Sequence, residues 1–234
     1  MRTCVDLLVG VGYSARASGS IALLFAAGCG SAPPRPAATS IDTAAIESAR
    51  RSTAPRSAVQ VSFAWQLQEA GARFSGQGVA RVQPQYHARL DLFGPRGDTY
   101  LTAVLVENEL RLPPSVGSSI VPPVPLLWSV LGVFWPPTTA EPRVARQVDG
   151  AIDLGFSGAE GRWNFSVRDS AVVAATWDAA GGGRHTVERQ GVPSTVRGTQ
   201  IVYRDWLAYR ELTFTIEDVQ HVSNFAADIW TPGW

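Results

Sequence analysis

Apolar and polar residues alternate along most of the chain after position 58, and this pattern is what most limits its fold. Val59, Val61, Phe63, Trp65 and Leu67 alternate with polar or small residues. A period of two is typical of an antiparallel strand with one dry and one wet face. The pattern predicts ten or eleven strands, over residues 59–68, 73–82, 86–92, 99–106, 109–112, 150–156, 162–168, 171–177, 184–190, 199–206 and 210–219. So many consecutive strands favour one curled or barrel-like sheet over two separate domains.

One apolar segment interrupts the strand pattern. Residues 113–137 are rich in proline, and between Pro125 and Pro136 they contain the apolar run 126–135. Ten residues bracketed by prolines predict a short helix, far shorter than the roughly 20 residues needed to cross a bilayer. Because this helix is apolar almost all round, more than one of its faces has to be covered. Two arrangements remain open: a lid that offers one face to a ligand, or a plug that fills the interior.

The first 28 residues predict a secretory signal peptide. A short apolar stretch begins at Ile21 and ends in small residues at 26–28, directly before Cys29. Small residues are what the peptidase cleft admits at the cut. A cysteine at the new N-terminus is similar to the bacterial lipobox, in which that thiol receives a diacylglycerol. We therefore predict lipidation of Cys29 and anchoring to a membrane; the alternative is an ordinary signal peptide with an incidental cysteine.

The residues after Cys29 predict a flexible tether over 29–57. They are rich in proline and small residues, which cannot build a core, and they include a candidate short helix over 41–51. The folded domain is then expected over 58–234. Because Cys4 leaves with the signal and Cys29 carries lipid, no disulfide can form. Stability has to come from an ordinary core, which 45% hydrophobic residues and eight tryptophans permit.

Charge and motifs exclude several classes of function. The 20 basic and 20 acidic residues balance, which argues against nucleic acid as a partner and against a polybasic membrane patch. His87, His185 and His221 lie far apart, without the spacing of metal ligands. No Gly-x-Ser-x-Gly elbow precedes a predicted helix, and the glycine-rich stretches at 76–78 and 181–183 open none. The sequence therefore predicts a protein that is not an enzyme and needs no metal or cofactor.

The order of these features resembles the LolA/LolB-like superfamily of outer-membrane lipoprotein-sorting proteins. The resemblance runs from about Val59 to the C-terminus and rests most on LDLFGPRG at 90–97, a strand followed by a turn, preceded by FSGQGVARV at 74–82. It implies a half-barrel of about eleven antiparallel strands whose open side is covered by helices. The covered hollow holds acyl chains in the carriers of this superfamily.

The same resemblance implies a turn that faces the membrane. In the receptor branch, the turn matching 94–97 carries an exposed apolar residue that touches lipid. Here Arg96 stands at the centre of that turn and Phe93 directly before it. We take Phe93 and Arg96 as the candidate membrane-facing turn; a tethered relative with a different cargo fits this turn equally well.

The candidate ligand-lining residues are the aromatic and large aliphatic side chains expected to point into the hollow. For those on strands, plain core packing is the alternative, and a register slip of one residue would turn them outward. The set comprises Phe63, Trp65, Leu90, Leu92, Trp163, Phe165 and Trp177 from strands, and Leu126, Leu127, Trp128, Leu131, Phe134 and Trp135 from the apolar segment.

These features together predict a lipoprotein at the periplasmic face of the outer membrane. Gly30, and not Asp, follows Cys29, which is not the pattern of inner-membrane retention in many proteobacteria. The expected partners are a lipid or lipoprotein acyl chain, the membrane reached through the lipid anchor, and a periplasmic protein. The rival hypothesis is a structural, interaction or envelope-stress-sensing lipoprotein with a filled core and no ligand.

Overall fold

The computed structural model describes residues 41–117, 121–191 and 197–231, so the signal segment and Cys29 lie outside the described residues. The helices are α1 (Thr43–Thr53) and α2 (Val124–Val130), and a 3-10 helix (Ala227–Trp230) follows the last strand. The strands are β1 (Ala58–Glu69), β2 (Ala72–Gln83), β3 (His87–Phe93), β4 (Thr99–Val106), β5 (Glu109–Arg111), β6 (Glu141–Val148), β7 (Ala151–Gly158), β8 (Gly161–Arg168), β9 (Ala171–Ala179), β10 (Arg184–Gln190), β11 (Gln200–Asp205) and β12 (Arg210–Val222).

These strands form one antiparallel sheet in the order β5-β4-β3-β2-β1-β12-β11-β10-β9-β8-β7-β6. Strands that follow one another in sequence pair, except β5 and β6. The first and last strands also pair, and Ala58 of β1 lies opposite Val222 of β12. β5 and β6 are the two edges, and residues 112–140 connect them and carry α2. The prediction of a single curled antiparallel sheet, a half-barrel, is confirmed.

The sequence predicts ten or eleven strands, whereas the described residues form twelve. The strand that the pattern misses is β6, which contains Pro142 and three charged residues among its eight. An edge strand tolerates a proline, because the missing N–H can face away from the sheet. The pairing with β7 shifts register between Pro142 and Val144. The local sequence of β6 does not predict a strand. It forms one because it pairs with the edge of β7.

Helix α1 packs against the sheet, within the same compact unit. Asp42 caps it, and its Oδ1 accepts hydrogen bonds from the backbone N–H groups of Ala44 at 2.9 Å and Ala45 at 3.2 Å. The buried face, which includes Ala45 and Ala49, packs against β6, β7 and β9. The short helix expected over 41–51 is therefore observed at Thr43–Thr53, and the small alanines on one of its faces let it approach the sheet closely.

Helix α2 is shorter than predicted and is covered on every side. The sequence predicts a helix over 126–135, but α2 ends at Val130 because Gly132 adopts a positive φ of 82°. Pro125 lies in the first turn, where a missing N–H costs nothing. The side chains from Pro125 to Val130 are buried, and the helix packs on β9, β10 and β11.

The convex face carries an ion network in which a buried carboxylate pairs with two partly exposed arginines. Asp91 is 3% exposed. Its carboxylate accepts hydrogen bonds from Arg81 Nη1 at 2.7 Å, Arg89 Nε at 2.9 Å and Thr102 Oγ1 at 2.9 Å. Arg89 also donates from Nη1 to the carbonyl oxygen of Ile229 at 3.2 Å. The network thus joins β2, β3 and β4 to the C-terminal 3-10 helix.

Candidate functional site

The concave face of the sheet gathers all the side chains predicted to line the hollow. Leu131, Trp135 and Trp177 are partly buried against its core. The other members of the set are buried within that core: Phe63, Trp65, Leu90, Leu92, Leu126, Leu127, Trp128, Phe134, Trp163 and Phe165. The predicted inward register is therefore observed. Contact of these residues with a ligand stays a prediction.

Most of the hollow is filled by α2 and the loop after it. Trp128 is fully buried, and its indole Nε1 donates to the carbonyl oxygen of Glu107 at 2.9 Å. Phe134, also fully buried, lies edge-on to Phe165 with ring centroids 5.2 Å apart. Phe134 N–H donates to Thr53 Oγ1 at 3.0 Å, which ties the loop to α1. In this state the apolar segment is a plug.

An apolar cavity of about 70 Å³ remains between the end of α2 and the centre of the sheet. We call it the inner cavity. Of the residues predicted to line the hollow, Phe63, Leu90 and Leu131 line it. Ala80 and Ile216 are among its other apolar walls. The space is much smaller than the roughly 300–1,000 Å³ of typical small-molecule sites.

A groove of about 260 Å³ leads from the surface to the inner cavity. It lies between the C-terminal end of α1, the loop at 131–133, and the ends of β1, β2 and β12. Val61, Val82, Leu131 and Arg189 line both spaces, so the groove and the inner cavity adjoin. We call it the entrance groove.

Arg189 is the charged residue that sequence reasoning missed. It follows His185 and Val187 at intervals of two on β10, so the three side chains share the concave face. Its Nη2 donates to the carbonyl oxygen of Val130 at 3.2 Å, and its Nε to that of Val172 at 3.4 Å. Burial lowers the pKa of Arg189 to about 10, which leaves the guanidinium protonated at neutral pH. Strand periodicity, applied to β10, would have flagged this inward arginine.

A row of stacked rings covers the other half of the concave face. Trp163 stacks on Trp177 with centroids 4.8 Å apart, and Trp177 stacks on His185 at 4.9 Å. His185 Nδ1 lies 3.0 Å from the hydroxyl of Tyr203. Burial lowers the pKa of His185, against an opposing effect of Asp205, and burial raises the pKa of Tyr203. Both rings are therefore neutral at neutral pH, and Trp177 packs on rings instead of bordering the inner cavity.

The candidate membrane-facing turn lies at one end of the sheet. Arg96 is exposed there, while Phe93 is half-buried, and its carbonyl oxygen accepts a hydrogen bond from Trp65 Nε1 at 3.1 Å. Because the strands are antiparallel, the β11–β12 turn lies at the same end, which we call the upper end. That turn presents Trp206 and Tyr209, which are 54% and 85% exposed. It offers more apolar surface than the turn that the sequence singled out.

The described residues contain neither a metal-binding cluster nor a membrane-spanning helix. No group of three or more His, Cys, Asp or Glu side chains in these ranges could hold a metal ion. None of the described helices is long and apolar enough to span a bilayer.

An open antiparallel half-barrel with a short apolar helix in its hollow defines the class of fold. The structure is similar to that of a LolA-superfamily protein from Nitrosomonas europaea, with a TM-score of 0.53 and 14% identity over 81% of this chain and 96% of that one. A putative outer-membrane lipoprotein-sorting protein domain from Vibrio parahaemolyticus matches with a TM-score of 0.45 and 7% identity, covering 80% of this chain and 94% of that one. The protein therefore has the LolA/LolB-like fold, as the sequence resemblance predicts. No protein-family model and no curated protein matches the sequence.

Proposed function

We propose that the protein is a non-enzymatic lipid-binding protein that takes an acyl chain between α2 and the concave face of the sheet. The observation that carries this proposal is the entrance groove, which adjoins an apolar inner cavity directly beneath the end of α2. Burial of an acyl chain yields about 0.8 kcal/mol per methylene, so a long chain gains enough to compete with a movable plug.

The inner cavity accepts a whole chain only after α2 moves. At about 70 Å³ it holds a few methylenes at most. Pro122, Pro123 and Pro125 lie at the start of α2, and Gly132 lies just after its end. A movement of α2 can therefore be confined to changes in the backbone at these two ends. The closed arrangement is then the unliganded state, and affinity is reduced by the free energy needed to open it.

The rival function is an interaction or stress-sensing role with a permanently filled core. The observation that favours it is the complete burial of Trp128 and Phe134 in the hollow. A surface for a periplasmic protein partner would then matter more than the interior. The two functions differ in one measurable property, the presence of lipid inside the half-barrel.

The first prediction concerns the wall of the inner cavity. Ala80 is 3% exposed and borders the cavity, so Ala80→Leu places three more carbons in that space. Loss of room for about two methylenes corresponds to about tenfold weaker uptake of a fluorescent palmitate analogue. Fluorescence titration of the intact, detergent-extracted protein measures it, and thermal unfolding shows whether the variant remains folded.

Val79→Leu is the matched control, because successive side chains of a strand point to opposite faces. It adds volume on the convex side, and uptake is expected to match the unaltered protein. Native mass spectrometry after mild extraction supplies the independent readout. A bare polypeptide together with no uptake by either variant or by the parent protein would support the filled-core function instead.

We further propose that the protein is held at the periplasmic face of the outer membrane through lipid on Cys29. The upper end of the sheet then contacts the bilayer through its β11–β12 turn. Tryptophan and tyrosine favour the membrane interface, where an apolar ring and a polar tip are both satisfied. Trp206 and Tyr209 are two such side chains, and Leu207 between them adds exposed apolar surface.

The second prediction tests this contact. Replacing Trp206, Leu207 and Tyr209 with Ser in a Cys29→Ser background is expected to weaken binding to phospholipid vesicles by about tenfold, because the buried apolar area is lost. Vesicle co-sedimentation measures it. Arg96→Ser in the same background is the control at the neighbouring turn and leaves binding unchanged. A loss in Arg96→Ser with none in the triple variant would instead assign the contact to the turn predicted from the sequence.

A further inference from the structure

We propose that Arg189 makes the cavity selective for long-chain carboxylates, that is, free fatty acids. Their single head-group charge would pair with the guanidinium while the chain runs beneath α2. This inference rests on the proposed lipid-binding function and specifies its ligand. The inference is based on the position of Arg189, which lines both the entrance groove and the inner cavity.

Among the described residues that line the two spaces, none offers Arg189 a counterion. No acidic side chain is among the described residues that line the inner cavity or the entrance groove. The neighbouring walls are apolar, with Val61, Val82, Leu131 and Ile201 among them. A charge in such surroundings is costly unless it is paired. An anion that reaches this point therefore gains more than it would at an exposed arginine.

The hydrogen bonds of Arg189 leave one nitrogen available. Nε and Nη2 donate to the carbonyl oxygens of Val172 and Val130, which fix the plane of the guanidinium. Nη1 is buried and has no hydrogen-bond partner among the described residues. A guanidinium carries five N–H donors, so Nη1 retains two that a carboxylate oxygen can accept.

The charge balance favours a carboxylate over a phosphate ester. Arg189 supplies one positive charge, which neutralises one carboxylate. A phosphate monoester carries between about −1.5 and −2 at neutral pH and would leave charge unpaired in an apolar space. Arg56, the other cation that lines the groove, is exposed to solvent and lies away from the inner cavity.

Gly132 keeps the space beside the guanidinium open. A Cβ at this position would lie 3.2 Å from Arg189 Nη2, closer than ordinary van der Waals contact. The backbone of Gly132 has a φ of 82°, which a residue with a side chain adopts only at a cost. The end of the apolar segment and the cation are thus adjacent, so that head-group binding and movement of α2 occur at the same place.

The test compares three amphiphiles of equal chain length, dodecanoate, dodecanol and dodecyl phosphate, bound to the intact protein. Competition against a fluorescent fatty acid gives their relative affinities. We expect dodecanoate to bind about tenfold or more tightly than dodecanol, because hydrogen bonds to charged groups are the strong ones. Arg189→Gln, which retains amide donors for the carbonyl oxygens, is expected to remove this preference by weakening dodecanoate binding about tenfold more than dodecanol binding. Arg184→Gln is the control and preserves the preference, because Arg184 is an exposed arginine on the opposite face of the same strand and lines neither space.

Several outcomes would overturn the inference. Equal binding of dodecanoate and dodecanol by the unaltered protein would refute head-group selection while leaving lipid binding in place. An equal loss for both ligands in Arg189→Gln would make Arg189 only a support for α2. Tighter binding of dodecyl phosphate would assign a different anion. Failure of all three amphiphiles to bind would contradict the proposed function itself.

Discussion

Replacing Trp128 with Ala is expected to lower the free energy of unfolding by about 3–5 kcal/mol, the range for truncation of a large buried aromatic. Trp128 is fully buried at the centre of α2 and lies edge-on to Tyr86, with ring centroids 6.0 Å apart. Its indole N–H donates to the carbonyl oxygen of Glu107, in the turn between β4 and β5. The substitution removes the ring from the core and leaves that carbonyl without its donor.

Urea unfolding measures this loss, and Trp206→Ala is the matched control. Trp206 is 54% exposed in the β11–β12 turn, so the same chemical change there is expected to shift stability by no more than about 0.5 kcal/mol. Similar small losses at both positions would show that α2 contributes little to the fold. The apolar segment would then be a loose lid and not a plug.

Asp91→Ala is the second substitution with a large expected effect, a loss of about 3–5 kcal/mol. Removal of the buried carboxylate leaves two partly buried arginine charges uncompensated. Here two arginine side chains, Arg81 and Arg89, would lose the carboxylate that they share, at 2.7 Å and 2.9 Å. Thr102 would lose the acceptor of its hydroxyl as well.

The comparison for Asp91 is Asp153→Ala on β7. Asp153 accepts a hydrogen bond from Ser166 Oγ at 2.7 Å and forms an ion pair with Arg146 at 3.4 Å. Unlike Asp91, its side chain is 34% exposed. Exposed pairs contribute about 0–1 kcal/mol, so a loss of about 1 kcal/mol or less is expected. Chemical denaturation of both variants checks the contrast. A loss at Asp91 no larger than at Asp153 would show that solvent compensates the two arginines.

The helices illustrate the limits of sequence-based prediction here. Prolines bracket the apolar segment clearly, and a helix within it is correctly expected. Its length is not, because the stop at Gly132 depends on a positive φ that the surrounding loop imposes. Asp42 marks the start of α1. Nothing in the local sequence shows that Ala45 and Ala49 contact the sheet, because alanine is also common on the exposed face of a helix.

Alternating polarity determined by itself which strand faces are dry, because neighbouring side chains on a strand must point to opposite sides. It therefore predicts Phe63, Trp65 and Phe165 as interior residues, and they are buried. Only the tertiary structure decided that β1 closes onto β12, that α2 fills most of the hollow, and that Arg189 borders the inner cavity with its Nη1 buried. These features depend on contacts between segments far apart in the chain, and local periodicity carries no information about such contacts.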